Sequence, residues 1–142
     1  MVTLWLQSKV AIFPPLQTLT HTTGSYILLS SMIREFIETT AFTKRVEKAG
    51  HDLLIDIQNQ LMEDPEAGDL IQGTGGLRKI RIADPGRGKG KRGGYRAIYL
   101  DLSRVEQTYL LSLYNKGEKD NISNEEKKEL RAWATKLKEE AK

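Results

Sequence analysis

The sequence predicts an α+β domain: a small antiparallel sheet with an N-terminal helical hairpin on one face and a C-terminal helix, in the order β-α-α-β-β-β-α. Three observations predict it. Apolar residues recur at helical spacing in two adjacent stretches, Phe42 to Ala49 and Leu53 to Leu61, and again from Leu130 to Ala141. Between them lie three stretches of β-branched and aromatic composition, from Leu77, Gly94 and Thr108 onward. Basic residues are gathered on and between the first two of these stretches rather than spread along the chain.

The elements follow in order. Ile33 to Thr39 reads IREFIET, short and rich in strand formers. Thr39 or Thr40 can cap a helix whose apolar positions are Phe42, Val46 and Ala49, with Gly50 as its stop. A second helix starts near His51, with Leu53, Leu54, Ile57 and Leu61 on one stripe, and closes at Pro65. Leu77 to Ala83 alternates, with Ile80 and Ile82 on one face and Lys79 and Arg81 on the other. Gly94 to Leu102 and Thr108 to Lys116 are the next strands. Pro85 to Gly93 is too rich in glycine and charge to be ordered by burial and is expected to be a mobile loop. Ser123 to Glu126 forms a capping box that opens a final helix with Leu130, Trp133, Ala134, Leu137 and Ala141 on its apolar stripe.

A chain of 142 residues has room for one modest core. It contains no cysteine and only two histidines, His21 and His51, so disulfides, thiolate metal sites and a histidine zinc site are not expected. No apolar run approaches the roughly 20 residues of a membrane-spanning helix. Residues 1–31 contain no acid and one base, Lys9. They read as a weakly ordered N-terminal extension or a misassigned start, and regular patterning begins at Met32. The compact domain is expected to span residues 32–142.

Between Arg78 and Arg96 stand eight basic residues and one acid, Asp84, a local charge of +7 in a chain of +3. Such focusing favours a phosphate-rich partner. Lys79 and Arg81 leave the same face of a strand, roughly 7 Å apart, close to the spacing of successive phosphates. Arg96 carries a rigid fork that matches phosphate oxygens. Strict alternation puts it with Ile98 and Leu100. Either a bulge near Gly93-Gly94 re-aims it, or both faces of the sheet are partly covered there. Tyr114 and Lys116 share parity on the last strand, and taken alone they read as an ordinary strand end. The phosphate-loop pattern is absent, because Gly90-Lys91 is followed by Arg92. The acids Glu63, Asp64, Glu66 and Asp69 lack a coordination spacing and read as solvated surface.

Together, LRKIRIAD, GGYRAIYL, the basic loop between them and LLSLYNKGEKDNIS resemble the RelE/ParE superfamily of bacterial toxins, in particular its RelE-like HigB branch. The resemblance covers Ile33 to Glu140. It implies a RelE-like fold and ribosome-dependent cleavage of messenger RNA by a cluster of bases, with no metal and no cofactor. Lys79, Arg81 and Arg96 match the family's basic positions, and Lys116 matches a basic position after the last strand. The best-understood relative also uses a tyrosine in its C-terminal segment. No tyrosine follows Tyr114 here, so Lys79 and Tyr114 both stand as candidates for proton transfer. Arg78, Arg87, Lys89, Lys91 and Arg92 would bind RNA backbone. The implied partners are messenger RNA, the ribosomal A site and a cognate antitoxin with a HigA-like helix-turn-helix domain, through which the complex would contact operator DNA. The implied compartment is the cytoplasm, with no membrane association. Two other readings keep the fold or the charge without the chemistry: a ParE-like inhibitor of DNA gyrase, and a non-catalytic RNA-binding module.

Overall fold

The computed structural model describes residues 6–12, 33–84, 94–118 and 121–141. Six strands and three α-helices appear among them, with a short 3-10 turn at Ser103–Val105: β1 (Leu6–Ile12), β2 (Ile33–Thr39), α1 (Thr40–Ala49), α2 (His51–Glu63), β3 (Asp69–Leu70), β4 (Arg78–Ile82), β5 (Tyr95–Leu102), β6 (Gln107–Asn115) and α3 (Asn124–Glu140). The expected core order β-α-α-β-β-β-α is present from β2 onward, with the two-residue β3 interposed. Within the segment expected to be a weakly ordered extension, Leu6–Ile12 pairs along its whole length with β2. The loop expected between Pro85 and Gly93 lies outside the described residues.

The spatial order is β1-β2-β6-β5-β4-β3. The sheet is mixed rather than wholly antiparallel, because β2 runs parallel to β6 while every other neighbouring pair is antiparallel. The physical reason lies in the connections. The helical hairpin carries the chain across to the far edge, and the meander β4–β5–β6 then returns β6 to β2 from the other side. A strand reached through helices can run parallel to its neighbour, whereas one reached through a tight hairpin cannot.

Local signals act where they were read. The Thr39 hydroxyl accepts a hydrogen bond from the Phe42 N–H at 3.1 Å and donates one to the Leu111 carbonyl at 2.8 Å, so one side chain both caps α1 and ties it to β6. Gly50, at φ 109°, separates the two helices of the hairpin in a conformation that side chains disfavour. Ser123 and Glu126 form the reciprocal capping box of α3.

Both faces of the sheet are covered. On one, Phe42, Val46, Leu53, Leu54, Ile57 and Leu61 of the hairpin pack on Phe36, Ile80, Ile82, Ala97, Tyr99, Leu110 and Leu113. On the other, Ala134 and Leu137 of α3 pack on Leu77, Ile98, Leu100, Leu111 and Tyr114. Each fully buried Leu or Ile here contributes about 1.5–3 kcal/mol relative to exposure. The register of β5 against β6 slips between Ile98 and Tyr99: Ile98 faces Ser112, Tyr99 faces Leu110, and Leu111 is the extra residue. This bulge reverses which side the rest of β6 presents. Tyr114 consequently faces α3, whereas unbroken alternation from Leu110 would have turned it toward the hairpin. Among the described residues no helix is long and apolar enough to cross a membrane.

Candidate active site

Register builds the site. Arg81 of β4 stands directly opposite Arg96 of β5, and Arg96 directly opposite Tyr114 of β6. Two residues along, Lys79 faces Ile98, which faces Ser112. Side chains directly opposite each other share a face, with Cβ atoms about 5 Å apart. The α3 face therefore carries a transverse row of arginine, arginine and tyrosine, with a lysine beside it. Like charges set directly opposite each other on a sheet repel.

The tension over Arg96 resolves in favour of two covered faces. Arg96 shares its side with Ile98 and Leu100, and α3 covers that side. The register shift between β5 and β6 lies at Ile98 and Tyr99. Arg96 is 5% exposed, while Arg81 at the neighbouring position is open to solvent. One Arg96 guanidinium nitrogen donates to the Tyr95 carbonyl at 3.3 Å. Among the described residues neither Lys79 nor Arg81 forms an ion pair. Lys79 Nζ reaches the Asn121 Oδ1 at 3.5 Å, just before α3. Burial raises the pKa of Tyr114 above the ordinary tyrosine value of 10.0; the Arg96 charge pulls it down and the Glu126 charge, from the first turn of α3, pushes it up. The phenol thus feels the charges of both Arg96 and the first turn of α3, and it stays protonated at neutral pH.

Gly94 makes the pairing possible. A Cβ placed there would lie 2.0 Å from the Ile82 carbonyl oxygen and 2.9 Å from the Asp84 nitrogen. Only glycine lets β5 begin so close to the end of β4, and this approach fixes Arg96 opposite Arg81.

The other candidates are placed elsewhere. Lys116 sits in the exposed turn after β6, its N–H bonded to the Gly94 carbonyl at 3.1 Å. Arg78 faces Tyr99, on the hairpin side. It donates to the carbonyls of Gly68 (2.9 Å) and Glu66 (3.3 Å), and its guanidinium lies 3.7 Å from the Glu66 carboxylate. It straps the α2–β3 loop and stands apart from the row. Arg87, Lys89, Lys91 and Arg92 lie outside the described residues. Of the acids read as surface, Asp64 accepts from the Glu66 N–H at 2.9 Å and shapes the turn. Asp69 pairs in register with Lys79. Sequence reading missed the part played by Asn121 and Glu126. The capping box was legible, but nothing in the sequence says that it closes over the Arg96–Tyr114 row.

The fold and this row define a small three-layer domain with two arginines and a tyrosine in register across one face of its sheet. The chain matches the family model described as "RelE toxin of RelE / RelB toxin-antitoxin system" over residues 39–142, and it belongs to the RelE toxin family. The match runs from the cap of α1 through α3, and β1 and nearly all of β2 precede it. Membership in a toxin–antitoxin family implies a cognate antitoxin as partner.

Proposed function

We propose that this chain is a ribosome-dependent messenger RNA endoribonuclease of the HigB branch, and that Arg81, Arg96, Tyr114 and Lys79 carry its chemistry. The observation that supports it most is the register Arg81–Arg96–Tyr114 across three strands. In the reaction the 2′-oxygen of RNA attacks the adjacent phosphorus, loses its proton, and displaces the 5′-oxygen of the next nucleotide, which gains one. Negative charge grows on the phosphoryl oxygens. Arg81 and Arg96 would flank those oxygens and stabilise that charge, commonly the largest contribution to catalysis. Tyr114, held protonated by burial, suits donation to the departing 5′-oxygen. Lys79 stands on the strand of Arg81, two residues along it and two strands, roughly 10 Å across the sheet, from Tyr114, on the side from which the 2′-hydroxyl would be approached. Acid and base on opposite sides of the phosphate are what an in-line displacement requires.

Lys116 at the rim would hold a flanking phosphate. Arg87, Lys89, Lys91 and Arg92 would engage backbone in the ribosomal A site, which places the message and so lowers the entropic cost of attack. The protein would act in the cytoplasm and be silenced by a HigA-like helix-turn-helix antitoxin that covers this face.

Arg96→Ala tests the reading, with Arg81→Ala as the exposed companion whose loss leaves the core intact. Induction of the wild type should arrest growth and yield new transcript 5′ ends. Each variant should cut about 10²- to 10³-fold more slowly, by analogy with deleting one oxyanion donor. Undiminished toxicity in both would refute the assignment. Intact transcripts with DNA damage would point to gyrase instead.

A further inference from the structure

We propose that the open outer edge of β4 is a nucleobase-reading groove, in which Gln60 and Asp69 select the base next to the cleaved phosphate. The inference rests on the cleavage reading above and names a specificity site for it. β3 is only two residues long and pairs with Arg78 and Lys79 alone, so among the described residues no strand covers the edge of β4 from Ile80 onward. The Ile71 N–H bonds the Leu77 carbonyl at 2.8 Å, and Asp69 is in register with Lys79. By the alternation of an antiparallel ladder, the backbone N–H and C=O of Arg81 turn the same way, past the end of β3. A groove of about 300 Å³ runs round this edge, lined by Gln60, Ala67, Gly68, Asp69, Lys79, Ile80 and Arg81.

The groove is built rather than incidental. The Tyr99 hydroxyl accepts from the Gly68 N–H at 3.0 Å and donates to the Pro65 carbonyl at 2.8 Å, while Arg78 holds the Gly68 carbonyl from the other side. A Cβ at Gly68 would come within 2.9 Å of the Lys79 backbone and of the Tyr99 ring, so the loop floor sits flush against β4. Of the lining residues, Arg81 is assigned above to the phosphate and Lys79 to the 2′-hydroxyl that attacks it. A base attached to that phosphate would meet an amide that donates and accepts, a carboxylate that accepts, and one outward backbone donor–acceptor pair. Nucleobase edges are read by this chemistry: Gln matches the N6 and N7 of adenine, and Asp accepts from an exocyclic amino group. Uracil has no exocyclic amino group and is the base disfavoured. A peptide strand fits less well, since β4 offers only the outward groups of Arg81 beyond β3, far short of the five or six residues of an ordinary strand.

The test uses the full chain on ribosomes programmed with messages that differ only at the nucleotides flanking the cut. Wild type should cut about tenfold less often where uracil occupies one flanking position, and Asp69→Ala and Gln60→Ala should each flatten that bias. Both residues are solvent-accessible and belong to neither apolar core, so folding is not at stake. Cleavage with an unchanged base distribution in both variants overturns the groove and leaves the nuclease reading standing. An unbiased wild type does the same. Loss of antitoxin binding with unchanged cleavage bias would assign the edge to a peptide and overturn the inference. A wild type that cuts nothing overturns both.

Discussion

The two ends of the sheet each hold an inward-facing arginine, and they treat it in opposite ways. At one end Arg34 of β2 lies 2.6 Å from the Asp101 carboxylate and donates to the Thr108 hydroxyl at 3.1 Å, and Ser103 bonds the same carboxylate. The side chains of the pair are 12% and 9% exposed, and the arginine is matched by a carboxylate of the same protein. At the other end the residue across from Arg96 is a second arginine, and beyond it stands a tyrosine. Burying a guanidinium is expensive in either place. Where a carboxylate faces it, the charge belongs to the architecture. Where another cation faces it, two guanidinium groups stand side by side on one face of the sheet, and the proposed phosphate site rests on that arrangement. Residue type is alike at the two ends and the neighbours differ: a carboxylate on β5, beyond the intervening β6, for Arg34, and a second arginine on the adjoining strand for Arg96.

Substitution should therefore separate rate from stability. Arg96→Ala is expected to lose about 10²–10³ in cleavage, more than any accompanying shift of its unfolding midpoint explains. Asp101→Ala should do the reverse, leaving Arg34 buried without its carboxylate at a cost of about 3 kcal/mol. Cleavage per folded molecule should persist. Denaturant titration alongside single-turnover cleavage reads both, and a loss of rate in Asp101→Ala with unchanged stability would erase the distinction. Tyr114→Phe comes next, with about a 10²-fold lower rate if the phenol delivers the proton. Because the Tyr114 pKa lies above 10.0, the wild-type rate should hold through neutral pH and decline only beyond the ordinary tyrosine range, and the variant should lack that alkaline limb. An identical pH profile in the two proteins would remove Tyr114 from proton transfer.

Gly94→Ala probes the geometry instead of the charge. The added Cβ would sit 2.0 Å from the Ile82 oxygen, so the strands must part. We expect about 2 kcal/mol of destabilisation, within the range for strained or overpacked sites. A fall in rate greater than stability alone explains is also expected, because Arg96 drifts from Arg81. A variant as stable and active as wild type would show that the close approach does not set the register.

Much of this was legible from residues alone, for identifiable reasons. Helical spacing at Phe42, Val46, Leu53, Ile57 and Leu61 and the Ser123–Glu126 box are local signals, and they act locally in the structure. The same holds for Lys79 and Arg81, which strict alternation in β4 sets on one face. What was not legible depends on partners distant in sequence. The parallel pairing of β2 with β6 is decided by where the meander ends. The side that Tyr114 faces is decided by one extra residue, Leu111, against β5, and no local pattern in LLSLYN announces it. Arg34 and Arg96 looked alike in sequence, as basic residues in strand-like runs. They differ in their neighbours, Asp101 reached across β6 and Arg81 directly opposite, which the fold alone supplies. Asp69 read as one acid of a solvated cluster, and only the two-residue β3 sets it beside Lys79.

The smallest expected effect is a slope in stability at high pH, and it falls on both faces of the sheet. Burial raises the pKa of Tyr99, Tyr109 and Tyr114. Tyr99 lies on the hairpin face, its hydroxyl bridging Gly68 and Pro65, and the other two lie on the α3 face. In each case the folded protein holds its proton more tightly than the unfolded chain, which ionises near pH 10.0. The unfolded state binds fewer protons above that point, so stability falls as pH rises. Below the unfolded pKa the contribution is complete and flat. Urea midpoints should be level from pH 8 to about 9.5 and then decline, and Tyr114→Phe should decline less steeply, since one of the three protons is gone. If wild type and Tyr114→Phe fell with the same slope, the Tyr114 phenol would be as free to ionise in the fold as in water. It would then be no better placed to keep a proton for the leaving oxygen than any surface tyrosine.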